Sequence, residues 1–202
     1  MSPPSPAATP TVRTAKLAVT GPFGAGKSTL LSTLAGPGLL STEYPVSRGL
    51  GTLPGRTTVA IESARLPVAD DLVIALYATP GQDRFGFLWE LLADRLLGYV
   101  LLVDATRPDT HTVARHVRHQ FEAHVEVPSV VALNRTLGDP TPVERRIRAE
   151  LKLSPEVPVL PTDVRDRDDA KRLVRAVLVQ ALESERDRPF WEHVGTRVGD
   201  AG

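Results

Sequence analysis

The stretch GPFGAGKS, residues 21–28, decides the fold, because it fixes the kind of element that stands on either side of it. It follows the apolar run LAVT (17–20) and precedes a segment of helical period, residues 27–34. It matches the pattern G-x-x-x-x-G-K-[ST], in which glycines let successive backbone N–H groups point at phosphate oxygens. The N-terminus of the following helix adds a dipole that favours the same negative charge. The sequence therefore predicts a strand, a phosphate-binding loop and a helix in this order.

The side chains of this loop have separate roles in the predicted chemistry. Lys27 reaches the β- and γ-phosphates of a nucleotide as a point charge, and Ser28 offers its hydroxyl to Mg²⁺. The competing interpretation is a chance glycine-rich turn, which the strand before the loop and the helix after it disfavour. The candidate nucleotide-binding residues of this stretch are Gly21, Phe23, Gly24, Ala25, Gly26, Lys27, Ser28 and Thr29.

Length, composition and charge limit the classes of function. The chain has 202 residues, of which 42% are hydrophobic, and this is enough to bury the core of one domain. Its 24 Lys and Arg balance 24 Asp and Glu, so a nucleic-acid interface is not expected. There is no cysteine, which excludes disulfides, thiol catalysis and lipidation of a cysteine. No apolar run approaches the ~18 residues of a membrane span. We therefore expect a cytoplasmic protein with no direct membrane anchor, and any recruitment to a membrane would be through a partner.

Apolar runs alternate with segments of helical period along the chain, and this alternation predicts an α/β fold. We expect a six-stranded, mostly parallel sheet with helices on both faces. One connection, residues 67–71, is too short for a crossover helix, so the strands beside it form the one antiparallel pair. The strand candidates are 17–20, 57–66, 72–78, 99–105, 128–134 and 157–163. The helix candidates are 27–34, 84–97, 109–124, 141–152 and 167–186.

One domain, residues 15–188, is expected between two tails. Residues 1–14 are dominated by Pro, Ser, Ala and Thr, which cannot bury enough apolar surface to offset the entropy of ordering. We therefore predict a disordered N-terminal tail over 1–14, and residues 189–202 are assigned to a C-terminal tail.

Histidines are concentrated on one helix candidate, residues 109–124. Two of them are three positions apart and could touch a metal ion, but no cysteine is available to complete a site. We expect a solvated helix face that carries His111, His116, His119 and His124.

A second motif, TPGQDRF (79–85), follows the strand candidate 72–78. Gly81 can place its N–H on a γ-phosphate, and Gln82 can orient an attacking water. Thr57 and Thr58 follow a loop rich in Pro and Gly, residues 41–56, which we expect to be flexible. A threonine so placed can close on Mg²⁺ and the γ-phosphate, which would make that loop a switch. The competing interpretation is that both threonines simply fill a strand as β-branched residues.

The motifs occur in the order GPFGAGKST, TTVAIES, TPGQDRF, YVLLVDA, VVALNR and TDVRDR. In this order they resemble a bacterial Ras-like small GTPase, and they are most similar to the GTPase component of actinobacterial conservons, relatives of the polarity GTPase MglA. The resemblance covers roughly residues 15–185. It implies a P-loop NTPase of Ras-like fold that binds GTP or GDP with Mg²⁺ and acts as a switch in a bacterial signalling cassette. It also implies two partners, a roadblock/LC7-type regulator and a sensor-kinase-like protein.

Base recognition is where the chain departs most from this family. Leu137 stands where the family carries an Asp that accepts hydrogen bonds from guanine, and a leucine accepts none. Asp139, two residues on, could swing into its place. Because Leu137 lacks an acceptor, guanine specificity depends on the resemblance, and adenine stays an alternative. The resemblance assigns the contacts near the base to Asn134, Arg135, Asp163 and Val164.

The metal site also departs from the family pattern. Ala78 stands where Ras-like proteins place an Asp that holds a water on Mg²⁺, which leaves Ser28 with Thr57 or Thr58 as the metal ligands. Slow, regulator-dependent hydrolysis is therefore expected. An arginine that stabilises transition-state charge is worth about 10³–10⁵ in rate. Gln82 is the catalytic candidate that orients water. Arg56 and, after Gln82, Arg84 are the candidates for the arginine role, and each also fits a solvated loop arginine.

Two other functions stay open at this point. One is a pseudo-GTPase docking module that binds nucleotide structurally or with relaxed base specificity. Ala78 and Leu137 favour this alternative, whereas Gln82 and the intact glycine-rich loop speak against it. The other is a P-loop kinase that uses ATP, which the absence of an arginine-rich lid segment disfavours.

Overall fold

The computed structural model describes residues 12–36, 39–46, 57–79, 92 and 96–184, which build one sheet and the helices packed on it. The strands are β1 Arg13–Thr20, β2 Leu39–Val46, β3 Thr57–Ala69, β4 Leu72–Ala78, β5 Leu96–Asp104, β6 Ser129–Asn134 and β7 Val159–Thr162. The helices are α1 Lys27–Ala35, α2 His111–Glu122, α3 Thr141–Glu150 and α4 Arg167–Ser184. A single 3₁₀ turn, Pro108–Thr110, leads into α2.

The strand order is β2-β3-β4-β1-β5-β6-β7. Strands β4, β1, β5, β6 and β7 are parallel, and the predicted α/β class with a mostly parallel sheet is confirmed. The predicted antiparallel pairing of β3 with β4 is also confirmed. Two parts of the prediction are wrong: the described residues form seven strands, and β2 with β3 makes a second antiparallel pair.

Strand β2 is the element that the sequence pattern missed. Residues 41–46 were expected in a flexible loop, yet they pair with β3 in unbroken register from Leu39 opposite Ala64 to Val46 opposite Thr57. Pro45 favours a loop in the sequence, but β2 is the edge strand, where a residue without an N–H is tolerated. The remainder of the expected loop, residues 47–56, lies outside the described residues.

Several boundaries also differ from the expected ones. β1 begins at Arg13 rather than Leu17, because Arg13 pairs with Leu72 and forms an ion pair with Asp71 at 2.6 Å. The predicted tail over 1–14 is therefore two residues too long. The helix predicted for 84–97 is wrong at its end, where Leu96 begins β5; apart from the helical Leu92, residues 80–95 lie outside the described residues. Residues 1–11 and the predicted tail over 189–202 lie outside them too.

Helices cover both faces of the sheet, as predicted. Side chains alternate between the two faces of a strand, and in the central strands both sets are apolar and need cover. In β5, Val100 and Leu102 face the core shared with α1 and α4, whereas Tyr99, Leu101 and Val103 face the core shared with α2 and α3. None of the helices within the described part of the chain is long and apolar enough to cross a membrane.

The helix after β1 and the helix after β5 lie on opposite faces of the sheet, although these strands are neighbours. Such a point, where consecutive connections diverge, is where parallel α/β sheets bind ligands, at the carboxyl ends of the strands. The loops after β1, β4, β5, β6 and β7 all leave from this edge, since these strands are parallel. β3 runs the other way, so its first residues extend past the end of β4 at the same edge.

Truncation of Phe121 tests the core beneath α2. The ring is fully buried and its centroid lies 4.3 Å from that of Tyr99. Phe121→Ala should lower the free energy of unfolding by about 3–5 kcal/mol, measured by urea denaturation, because a cavity replaces the ring. Val113→Ala on the same helix, 41% exposed, is the matched control and should change it by less than about 0.5 kcal/mol. Equal losses in both variants would contradict this packing.

Candidate functional site

The glycine-rich loop, residues 21–26, has a backbone conformation that favours glycine at three of its positions. Gly21, Gly24 and Gly26 have φ values of 137°, 79° and 111°, in the region that side chains disfavour. A Cβ at Gly21 would lie 2.2 Å from the backbone oxygen of Leu102, so the loop begins in close contact with β5. The motif glycines are therefore required by the conformation of the loop and by its position on the sheet.

Gly26 is the point where three loops meet. A Cβ there would lie 2.7 Å from Nδ2 of Asn134 and 3.2 Å from Cγ2 of Val164. Gly26 is also the N-cap of α1, where no side chain accepts the helix N–H groups and the first turn contains no acidic residue. The positive end of the α1 dipole thus faces the loop with no acidic residue in the first turn of the helix, which is the arrangement that holds an anion.

Lys27 folds back over the glycine-rich loop. Its Nζ donates to the backbone oxygens of Gly21 at 2.8 Å and Pro22 at 2.9 Å. Burial lowers the pKa of Lys27 from 10.5 to about 8, and the charge of Glu62 opposes part of that shift. Within the described residues the hydrogen bonds of this desolvated ammonium group go to neutral carbonyl oxygens, so it is well placed to bind an incoming anion.

The Asn134–Arg135 turn is fastened to the same loop. Nδ2 of Asn134, which is 2% exposed, donates to the Ala25 oxygen at 2.8 Å, and its Oδ1 accepts the Arg135 N–H at 3.0 Å. Arg135 has a φ of 60° and donates from its guanidinium to the Gly24 oxygen at 3.2 Å. The structure therefore brings together the residues that the sequence assigned to phosphate and to base.

Asp104 completes this connection and was not identified from the sequence. It is the last residue of β5, is 2% exposed, and forms a short ion pair with Arg135. Burial raises the pKa of Asp104, but hydrogen bonds from Thr106 and Arg135 outweigh burial and hold it below 3.8. The one signal in the sequence is a carboxylate at the end of an otherwise apolar strand.

Two more charged residues near the loop were missed. A Cβ at Gly24 would lie 3.5 Å from a guanidinium nitrogen of Arg107, which follows β5 and pairs with Asp109 at 3.0 Å. Glu62 of β3 is the cross-strand neighbour of Ala78, and its charge acts on Lys27. Both placements depend on strand register and loop path, which a single sequence does not reveal.

The remaining predicted residues of the first motif occupy varied positions. Ser28 and Thr29 lie exposed in the first turn of α1, and Ala25 is buried. Phe23 is 83% exposed at the tip of the loop. Neither Ala25 nor Phe23 has a polar side chain, so their contribution to a phosphate site would come from their backbone N–H groups.

The loop after β7 contributes the predicted residues Asp163 and Val164. Val164 is buried against Gly26, whereas Asp163 is exposed. Arg165 binds both carboxylate oxygens of Asp163 and lowers its pKa to about 2. The Asp163 N–H donates to Asp169 at 2.8 Å, so the N–H of Val164 is the better candidate for a ligand contact.

Leu137 is 84% exposed beside these loops. Asp139, the residue that could replace the missing acceptor, accepts the N–H of Thr141 at 3.0 Å and so helps to begin α3. Leu137 has no acceptor for a base, and the Asp139 carboxylate is engaged at the start of α3.

The second motif is only partly described. Thr57 and Thr58 are the first residues of β3, at the edge of the sheet that carries the glycine-rich loop. Gly81, Gln82, Arg84 and Arg56 lie outside the described residues. Thr79, just before them, donates its hydroxyl to that of Thr20 at 2.9 Å, which joins the ends of β1 and β4.

Comparison with known proteins does not assign this site. No model of a known protein family matches the chain, and no curated protein matches its sequence. The functional interpretation therefore depends on the geometry: a cationic loop at a helix N-terminus, fastened to two further loops at the carboxyl edge of a parallel sheet.

The ionisation of Lys27 gives a direct test of this geometry. Folded Lys27 should release its proton near pH 8, whereas an unfolded lysine holds it up to about 10.5. The unfolded chain therefore binds more protons between these values, and the protein should gain stability from this residue as pH rises from 8 to 10.5. Carbon-13 NMR of the lysine side chains measures the midpoint, with Lys27→Arg to assign the signal. A midpoint near 10.5 would show that Lys27 is not buried over the loop.

Proposed function

We propose that this chain is a small GTP-binding protein of Ras-like P-loop NTPase fold, acting as a GDP/GTP switch in a bacterial signalling cassette. One observation carries the proposal: Asn134 and Arg135 donate to the backbone oxygens of Ala25 and Gly24. The residues suited to a base and those suited to phosphates are therefore one connected unit. That unit lies at the edge of the sheet where α/β proteins bind nucleotides.

Phosphate binding would use groups that are already in place. The amides of the glycine-rich loop and of the α1 N-terminus face the phosphates, and Lys27 exchanges its bonds to Gly21 and Pro22 for phosphate oxygens. Ser28, exposed at the start of α1, and Thr57 or Thr58 would hold Mg²⁺, and Glu62 is the carboxylate paired across the strands with Ala78. Bound Mg²⁺ would neutralise the phosphate charge and orient the γ-phosphate.

Hydrolysis would proceed by attack of water on the γ-phosphorus. A bond from the water oxygen to phosphorus forms, the bond to the bridging oxygen breaks, and GDP and phosphate leave. In the proposed arrangement Gln82 orients the water, the Gly81 amide binds the γ-phosphate, and Arg56 stabilises the developing charge. With Ala78 in place of an aspartate the intrinsic rate is slow, and a regulator raises it.

The second candidate is a docking module that binds nucleotide with relaxed base specificity and does not hydrolyse it. The exposed Leu137 and the engagement of Asp139 by Thr141 favour it, because a leucine accepts no hydrogen bond from guanine and Asp139 already accepts one at the start of α3. In both candidates a roadblock/LC7-type regulator and a sensor-kinase-like protein are the proposed partners.

Removal of the Lys27 ammonium tests the phosphate site. Lys27→Ala should weaken the binding of fluorescent GDP by roughly tenfold to a hundredfold, because a charge-assisted contact is lost. Lys171→Ala, on the exposed face of α4, is the matched control and should bind as tightly as the unaltered protein. Equal affinity in all three proteins, measured by titration in Mg²⁺, would place the nucleotide elsewhere.

A second substitution separates the two candidates. Gln82→Leu should abolish release of phosphate from GTP while leaving GTP affinity unchanged, because the glutamine acts on water and not on the nucleotide. Single-turnover phosphate release with and without this change is the measurement. Phosphate release at the same rate in both proteins would remove Gln82 from the mechanism, and no release from either would favour the docking module.

A further inference from the structure

His111 contradicts the expected solvated histidine face, because it is only 3% exposed, while His116, His119 and His124 are exposed. It opens α2. Its Nδ1 lies 2.6 Å from Oε2 of Glu150 at the end of α3. Its Nε2 lies 3.1 Å from the backbone oxygen of Asp104 at the end of β5. This side chain therefore joins two helices to the strand end that carries the buried carboxylate.

Both partners of the imidazole are hydrogen-bond acceptors. A carboxylate and a backbone carbonyl have no proton to donate, so each ring nitrogen must carry a hydrogen to form both bonds. The Asp104 oxygen accepts a second hydrogen bond from the Arg107 N–H at 3.2 Å. Glu150 therefore holds one side of the ring, and the end of β5 holds the other. Nε of Arg146, at 3.9 Å from the other Glu150 oxygen, adds a positive group beside that carboxylate.

Asp104 connects His111 to the glycine-rich loop. Its carboxylate accepts from Arg135, and Arg135 donates to the Gly24 oxygen at 3.2 Å. The N–H of Ala105, the next residue, donates to the Asn134 oxygen at 2.9 Å. The end of β5 is thus held by His111 on one side, and it holds the Asn134–Arg135 turn on the other.

We propose that His111, hydrogen-bonded between Glu150 and the end of β5, is a positioning residue that fixes Asp104 and thereby holds the Arg135 guanidinium against the glycine-rich loop. The inference rests on the proposed function, because the guanidinium is then part of the wall that retains a bound nucleotide. His111 touches neither the loop nor a ligand, so its effect is on how long the nucleotide stays bound.

Four variants test this role through the release rate of fluorescent GDP. His111→Phe removes both donors and should release GDP about tenfold faster. His111→Gln keeps a donor toward the Asp104 oxygen and should stay within about threefold of the unaltered rate. Glu150→Gln removes the carboxylate that holds Nδ1 and should also speed release. His119→Gln, on the exposed face of the same helix, should release at the unaltered rate.

Two readouts on nucleotide-free protein accompany the rates. Nitrogen-15 NMR should show both ring nitrogens of His111 in hydrogen bonds, and Glu150→Gln should shift the Nδ1 signal. Hydrogen exchange should be faster in His111→Phe at the amides of Ala105 and Arg135, with the amides of α4 as the unchanged internal reference. A general loss of stability would instead speed exchange in α4 as well.

The outcomes separate this inference from the proposed function. If GDP binds and every variant releases it at the unaltered rate, the positioning role is overturned and the proposed function stands. If no nucleotide binds to the unaltered protein, the proposed function fails, and hydrogen exchange decides the role of His111. Faster exchange at Ala105 and Arg135 alone would support positioning, and unchanged exchange would overturn it.

Discussion

The hydrogen bond from Nδ2 of Asn134 to the Ala25 oxygen is the interaction on which the site depends. It is buried, and it joins the end of β6 to the loop after β1, which lie on either side of β5. It forms only because Gly26 has no side chain, since a Cβ there would lie 2.7 Å from the same nitrogen. The motif glycine and the distant asparagine are therefore one structural requirement, although 108 positions of sequence separate residue 26 from residue 134.

Around this junction, cationic side chains lie next to the glycine-rich loop, and carboxylates pair with two of them, Arg107 and Arg135. Lys27 lies over the loop, and Arg107 and Arg135 lie beside Gly24. Asp104 pairs with Arg135 from the sheet side, where burial makes an unpaired charge unfavourable. The chain is neutral as a whole, so this local separation of charge, and not the net charge, suits the site to a polyanion.

The sequence predicted what depends on local chemistry. The α/β class and the antiparallel pairing of β3 with β4 follow from apolar runs and a short connection. The placement of Asn134 and Arg135 beside the loop was expected only from the family resemblance. The sequence failed where the answer depends on non-local pairing. Strand β2 was missed because its composition resembles a loop, although the edge of a sheet tolerates such residues. Asp104 and Glu62 were missed because their roles come from strand register.

The central claim is that the loops joined at Gly26 hold a guanine nucleotide. The most direct test is to denature the freshly purified protein, identify any nucleotide that is released, and titrate the protein with fluorescent GDP and ADP in Mg²⁺. We predict tight binding of GDP and negligible binding of ADP. Equal affinities would remove the claim of guanine recognition, and binding of neither nucleotide would contradict the account as a whole.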